Sequence, residues 1–275
     1  MGTDRLAPEV AAHYAGGNEA DRLFRGGGRL ELARTQELLR RYLPPAPAIV
    51  LDVGGGSGVY ACWLAARGYT VHLVDPVPLH VEQARRASGA QPAAPLASAR
   101  LGDARRLEQA AGSVDAVLLL GPLYHLTERA DRLRALGAAR RVLRPGGLVF
   151  AVGISRYASL LDGLRRGFLD DPEFARIVER DLRNGQHRNP TNHPAYFTTA
   201  FFHHPDELRA EVQAANLVVE AVAAIEGPAG LVADLDGWWE DPARRERLLA
   251  AVRAVEHEPS LLGASDHILV VGRKH

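Results

Sequence analysis

The sequence predicts an α/β protein built on a mostly parallel sheet with helices on both faces, and three observations carry that prediction. Short apolar runs without polar alternation recur through the first half of the chain, as strands covered on both faces require. Longer amphipathic stretches separate them, which is the alternation of βαβ units. One such run also leads straight into the glycine-rich turn Gly54-Gly55-Gly56-Ser57-Gly58 and then into a helical pattern.

Residues 1–43 read as an N-terminal helical cap, broken at Gly26-Gly27-Gly28 and continued by an uneven stripe of Leu30, Leu32, Leu38, Leu39 and Leu43. Pro44-Pro45-Ala46-Pro47 ends it. Over residues 44–153, the expected cofactor-binding core, the runs 49–53, 69–74, 114–120 and 148–152 read as strands. A helix over 59–67 stops at Gly68, and another, capped by Thr127, stops at Pro145-Gly146-Gly147 with Leu133, Leu136, Val142 and Leu143 toward the sheet. Residues 154–204 interrupt the alternation and are expected to form a lid, with helices over 157–168 and 172–182 before a polar, aromatic stretch. Residues 205–275 return to the core through a helix over 205–215, strands over 217–225 and 268–271, and a helical insertion at about 226–265 holding Trp238-Trp239.

Composition narrows the function. A chain of 275 residues with 47% apolar content closes one sizeable core. Lys+Arg and Asp+Glu are both 33, so no global field draws in nucleic acid or an anionic membrane, and a small-molecule partner is favoured. Cys62 is the only cysteine, which fits a reducing cytoplasm and excludes an intramolecular disulfide. The first residues lead into no apolar signal core, and no run approaches a membrane span. A cytoplasmic protein is expected.

The glycine loop is steric chemistry first: absent side chains let the backbone approach a ligand, and the following helix offers free N–H groups to polar or anionic atoms. Alone it has two readings, because Gly56-Ser57-Gly58-Val59-Tyr60-Ala61 also fits a dinucleotide fingerprint. Both expect an acid after the second strand to accept ribose hydroxyls, and Asp75 supplies it.

The remaining motifs fall in a fixed order. Asp52 with Gly54, Gly56 and Gly58 comes first, then Asp75, then the acidic turn Gly102-Asp103-Ala104, then Val114-Asp115-Ala116-Val117, and finally Leu143-Arg144-Pro145-Gly146-Gly147. Over most of the chain they resemble the class I S-adenosylmethionine-dependent methyltransferase family. The resemblance implies a Rossmann-like seven-stranded sheet, its last two strands antiparallel, with a lid inserted after the fifth. It implies S-adenosylmethionine as cofactor, with Asp75 at the ribose, Asp103 at the adenine amine and Leu120 beside the sulfonium. The implied reaction is methyl transfer to an O, N or C nucleophile of a small metabolite. Transfer to tRNA or protein, or cofactor binding without turnover, are the alternatives.

Ligands collect beyond the carboxyl ends of parallel strands, so the loops after the fourth and fifth strands are the candidate acceptor side. His125 there either accepts a proton from the acceptor or, with Tyr124, packs on cofactor and caps a helix. Tyr14 either closes over the sulfonium or staples the first helix to the sheet. In the lid, Tyr157, Arg188, His193, Tyr196, Phe197 and His203 are candidate substrate contacts, since aromatics with scattered polar groups suit a pocket. The lid histidines follow no recognised metal spacing, so no metal is expected.

Overall fold

The computed structural model describes residues 8–15, 19–191 and 193–275, so residues 1–7 and 16–18 of the expected N-terminal cap lie outside the described residues. Helices α1 (Pro8–Ala15), α2 (Glu19–Arg22) and α3 (Gly27–Tyr42) precede the sheet. Strand β1 (Ile49–Val53) then begins a regular alternation with α4 (Val59–Ala65), β2 (Thr70–Asp75), α5 (Pro78–Gly89), β3 (Ser98–Leu101) and β4 (Val114–Leu119). After α6 (Pro122–His125) and α7 (Arg129–Val142) comes the long β5 (Leu143–Ser155). The lid contains α8 (Ala158–Arg166), α9 (Pro172–Asn184), β6 (Gln186–His187) and β7 (Ala200–His203). The chain ends with α10 (Pro205–Ala214), β8 (Val218–Ala224), α11 (Leu235–Glu240), α12 (Pro242–Val255) and β9 (His267–Arg273).

The strands order as β3-β2-β1-β4-β5, all parallel, followed by β9 antiparallel to β5 and β8 antiparallel to β9. These are the seven strands expected. The lid departs from a purely helical insertion: β7 pairs with the last residues of β5, Ile154 with Phe202 and Ser155 with His203, and β6 pairs with β7. Beyond the end of β4 at Leu119, β5 has an unpaired edge, and a returning lid strand satisfies it.

Side chains alternate between the two faces of the sheet, which explains apolar runs without polar alternation. Val50, Leu73, Leu118 and Phe150 pack beneath α3, α4 and α5 against Leu38, Leu39, Leu64 and Val81. Their neighbours Leu51, Val117, Val149 and Ala151 pack on the opposite face against Leu136, Ala139 and Val142 of α7 and Leu208 and Val212 of α10. Thr127 does not cap α7; Glu128 precedes it without a side-chain cap, while the Thr127 carbonyl accepts from Arg132 at 2.9 Å and Gln186 at 3.1 Å. Trp238 and Trp239 pack on the small cluster around Leu248 and Val252, which Leu30 of α3 joins. Among the described residues no helix is long and apolar enough to cross a membrane.

Candidate functional site

The glycine loop leaves β1 at its carboxyl end, and Gly54 (φ 68°), Gly56 (φ 56°) and Gly58 (φ 87°) all take left-handed backbone. At Gly54 the requirement is double, since a Cβ would also lie 2.7 Å from Cγ of Pro122. Gly56 has nothing within 4 Å of its Cβ position, so its backbone faces open space. The loop is held from the next strand: Gly54 N–H donates to the Val74 carbonyl at 2.7 Å, and Gly56 N–H donates to Oδ2 of Asp75 at 2.9 Å. Asp75 Oδ1 accepts from Val77 N–H at 2.9 Å and from Nδ1 of His80 at 3.1 Å. That donation fixes the imidazole proton on Nδ1 and leaves Nε2 as an acceptor; buried, it has no hydrogen-bond partner among the described residues.

Asp52 lies beneath the loop rather than on it, with Oδ2 buried under Gly55 and without a hydrogen-bond partner among the described residues. Burial and the nearby Asp75 push its pKa up to about 7. Past β3, Gly102 N–H donates to the Asp75 carbonyl at 3.1 Å, and a Cβ there would meet Val74 at 2.6 Å. Asp103 accepts from the Arg105 guanidinium at 2.6 and 2.9 Å and from Arg105 N–H at 2.8 Å. Burial would raise its pKa, but these bonds hold it below the usual carboxylate range.

Three cavities meet over the strand ends. One of about 400 Å³ runs past Gly54, Gly56, Asp75, His80, Asp103 and Ala104. A chamber of about 70 Å³ lies between the loop, Asp52, Leu120, Arg22 and Glu31. The third, about 450 Å³, is roofed by the lid. Tyr124 lines all three, and Tyr14 lines the first and third.

At this junction the Tyr14 hydroxyl and Nε2 of His125 are 2.6 Å apart. Nδ1 of His125 faces the Thr199 carbonyl at 3.3 Å, which assigns the ring proton to Nδ1 and makes Nε2 the acceptor of the tyrosine O–H. Burial lowers the His125 pKa to about 4, so the imidazole is neutral at physiological pH. Phe197, in the left-handed region at φ 63°, sets its ring 5.8 Å from that of His125.

Of the candidate substrate contacts in the lid, Tyr196 and Phe197 line the third cavity. The structure does not bring Tyr157, Arg188, His193 or His203 to the cavities. Tyr157 packs against Gly263 and His204. Arg188 donates to the carbonyls of His187 at 2.7 Å and Ala200 at 3.2 Å and to Gln186 at 2.7 Å, which consumes its guanidinium within the lid. His193 is exposed and stacks on Tyr196, the ring centroids 4.2 Å apart. His203 points away from the lid cavity into a buried network: its Nε2 is 3.3 Å from Glu211, which also accepts from Arg132 at 2.8 and 2.9 Å. Residues that sequence reasoning passed over do line the cavities: His80 in the first, and Glu31, Glu226, Asp266 and His267 in the third.

Residues 50–147 match the model of a methyltransferase domain. A ubiquinone biosynthesis O-methyltransferase of Methylocella silvestris is 36% identical over 118 residues, 42% of this chain and 44% of that protein. An S-adenosyl-L-methionine-dependent Diels-Alderase of Talaromyces variabilis is 34% identical over 183 residues, 55% of this chain and 61% of that protein. The chain thus spans less than two thirds of these relatives. Among solved structures, an S-adenosylmethionine-dependent methyltransferase of Methanosarcina mazei superposes with a TM-score of 0.57 at 18% identity, over 86% of this chain and 96% of that one.

Proposed function

From a methyltransferase domain over residues 50–147 set in the class I fold, we propose that this chain is an S-adenosylmethionine-dependent methyltransferase acting on a small-molecule acceptor held beneath the lid. One observation carries the reading: the cavity along the glycine loop, Asp75 and Asp103 opens at Tyr14 and Tyr124 into a second cavity closed by the lid. A two-part chamber is what group transfer between a bound cofactor and a separate acceptor requires.

The residues fit the cofactor. Gly56 leaves room beside the backbone, Asp75, oriented by His80, offers its carboxylate to ribose hydroxyls, and Asp103 with Ala104 lines the adenine side. The small chamber is bordered by the Arg22–Glu31 ion pair, which an amino-acid group there would have to share. Bound there, S-adenosylmethionine supplies an electrophilic methyl, and its transfer leaves neutral S-adenosylhomocysteine.

The protein's own work is positioning, exclusion of water and handling of one proton. A hydroxyl acceptor at the junction passes its proton to the Tyr14 oxygen while the phenolic proton moves to Nε2 of His125, whose other N–H stays on Thr199. Because burial keeps His125 neutral, that lone pair is available at physiological pH. An amine acceptor attacks through its own lone pair and needs no such relay.

Calorimetric titration with S-adenosylhomocysteine tests the reading. Saturable binding, not displaced by NAD, is expected; no binding at millimolar concentration overturns it. Release of S-adenosylhomocysteine from S-adenosylmethionine on a panel of hydroxyl and amine metabolites then tests turnover.

A further inference from the structure

The floor of the lid cavity is acidic, and its acids are not equivalent. Both oxygens of Glu31 accept from the Arg22 guanidinium, at 2.5 and 2.9 Å. Glu226 accepts from Ser265 at 2.8 Å, His267 N–H at 2.9 Å and Nδ1 of His267 at 2.7 Å. Asp162 is taken by Arg165 and Arg166. The Asp266 carboxylate lines the same cavity and has no hydrogen-bond partner among the described residues.

Arg22, Arg165, Arg166 and His267 line the same floor, so its charges are largely paired, and Asp266 is the acid among them left without a hydrogen-bonded partner among the described residues. Burial and the adjacent Glu226 push the Asp266 pKa up to about 6, although Arg165, whose Nη1 donates to the Gly230 carbonyl at 2.6 Å, works in the opposite direction. Burial alone would strip His267 of its proton, yet Glu226 and Glu31 raise its pKa to about 9. The imidazole keeps its proton because its Nδ1 donates to Glu226, which is thereby paired and leaves Asp266 as the open carboxylate.

The cavity's walls add a second attraction of the same sign. Tyr124, Phe174, Tyr196, Phe197 and Phe202 line it, and ring faces attract cations most when water is excluded. The His267 ring lies 6.4 Å from that of Tyr124, so the acidic floor is one ring away from the junction with the cofactor cavity.

On the reading that this cavity holds the methyl acceptor, we propose that the acceptor carries a protonated amine, seated on the Asp266 carboxylate within the aromatic walls. The ammonium is the handle; the nucleophilic atom lies at the Tyr14–Tyr124 junction. A divalent metal is the rival occupant, since donor atoms of Glu31, Glu226 and His267 fall within 4.8 Å of one another. It is disfavoured because Arg22 occupies both Glu31 oxygens and His267 holds its proton.

The test titrates the full chain, saturated with S-adenosylhomocysteine, with 2-phenylethylamine, 2-phenylethanol and 3-phenylpropanoate, which share a ring and differ in charge. The amine is expected to bind at least tenfold more tightly than the alcohol, and the carboxylate more weakly than either. Asp266→Asn should cut the amine preference to less than threefold with S-adenosylhomocysteine affinity unchanged; Asp266→Ser, checked by thermal melting, repeats the measurement without the amide. Equal binding of amine and alcohol, tighter binding of the carboxylate, absence of amine binding, or a preference that survives both substitutions overturns the proposal. So does manganese binding that displaces the amine and is lost in Glu226→Gln. The series is also run without S-adenosylhomocysteine, so a failure of the cofactor reading appears in the first titration and a failure of the amine reading in the second.

Discussion

Replacing His80 with phenylalanine should separate a residue that orients Asp75 for the cofactor from one that only packs. In the ligand-free protein the substitution removes the Nδ1–H bond to Asp75 at 3.1 Å, a charge-assisted bond with a net contribution of about 1.5–3 kcal/mol. It also removes a buried Nε2 with no partner among the described residues, and such an atom costs about 1–3 kcal/mol. These effects offset, so folding stability should change by less than about 1 kcal/mol, a shift of roughly 2–4 °C at most for a chain of this size. The bound state differs, because Nδ1–H of His80 holds the Asp75 carboxylate that accepts the ribose hydroxyls. Its loss should weaken S-adenosylhomocysteine by about 1.4 kcal/mol, or roughly tenfold. Thermal melting and calorimetry on the same preparation measure the two quantities. A variant that melts many degrees lower while keeping wild-type affinity would show that His80 only packs, and the reasoning fails.

Three further outcomes follow from the same contacts. Gly54→Ala must hold a left-handed backbone and place Cβ 2.7 Å from Pro122, so calorimetry should find S-adenosylhomocysteine affinity reduced at least tenfold; unchanged affinity would show that the loop yields freely. His125 has a pKa of about 4 when folded and about 6.5 when unfolded, so the unfolded chain binds the extra proton between those values. The stability from keeping it neutral is present above pH 6.5 and lost as pH falls toward 4; urea unfolding across this window should show a smaller decline for His125→Asn than for the wild type. Glu211→Ala leaves the buried Arg132 guanidinium without its carboxylate and should cost about 3–5 kcal/mol in urea unfolding, whereas a loss below about 1 kcal/mol would mean the pair is replaceable.

How much could be read from sequence depended on how local each feature is. The glycine loop, Asp75 and Gly102-Asp103 sit at strand ends, so order along the chain is enough to group them. Strand β3 was harder because it has four residues, with Arg100 and Leu101 exposed at the sheet's edge, and shows no apolar run. The two-residue β6 has no periodicity at all. In β7, alternation decides the roles: Phe202 faces the lid cavity, while Phe201 and His203 turn toward Arg132 and Glu211. His203 was grouped with the pocket on its aromatic neighbours, although a strand places adjacent residues on opposite faces. His80 gives no signal beyond its place in the first turn after Asp75. Glu31, Glu226 and Asp266 come from segments far apart in sequence, and only the closed fold brings them to one floor.

The acceptor side also has a different mechanical character from the cofactor side. The glycine loop is fixed by the parallel sheet, but Tyr14 sits on α1, whose hydrogen bonds among the described residues reach the lid and His125. The Glu9 carbonyl accepts from Thr198 at 3.2 Å, the Glu9 carboxylate accepts from Thr199 at 3.0 Å, and Tyr14 reaches His125, which is itself bonded to Thr199. The fully buried Val10 and these bonds together hold α1 over the junction. Since Tyr14 lines both large cavities, a ligand in either one meets the same helix. Occupation of either cavity that stabilises this position of α1 therefore lowers the ordering cost of filling the other, so the two ligands should bind with positive coupling.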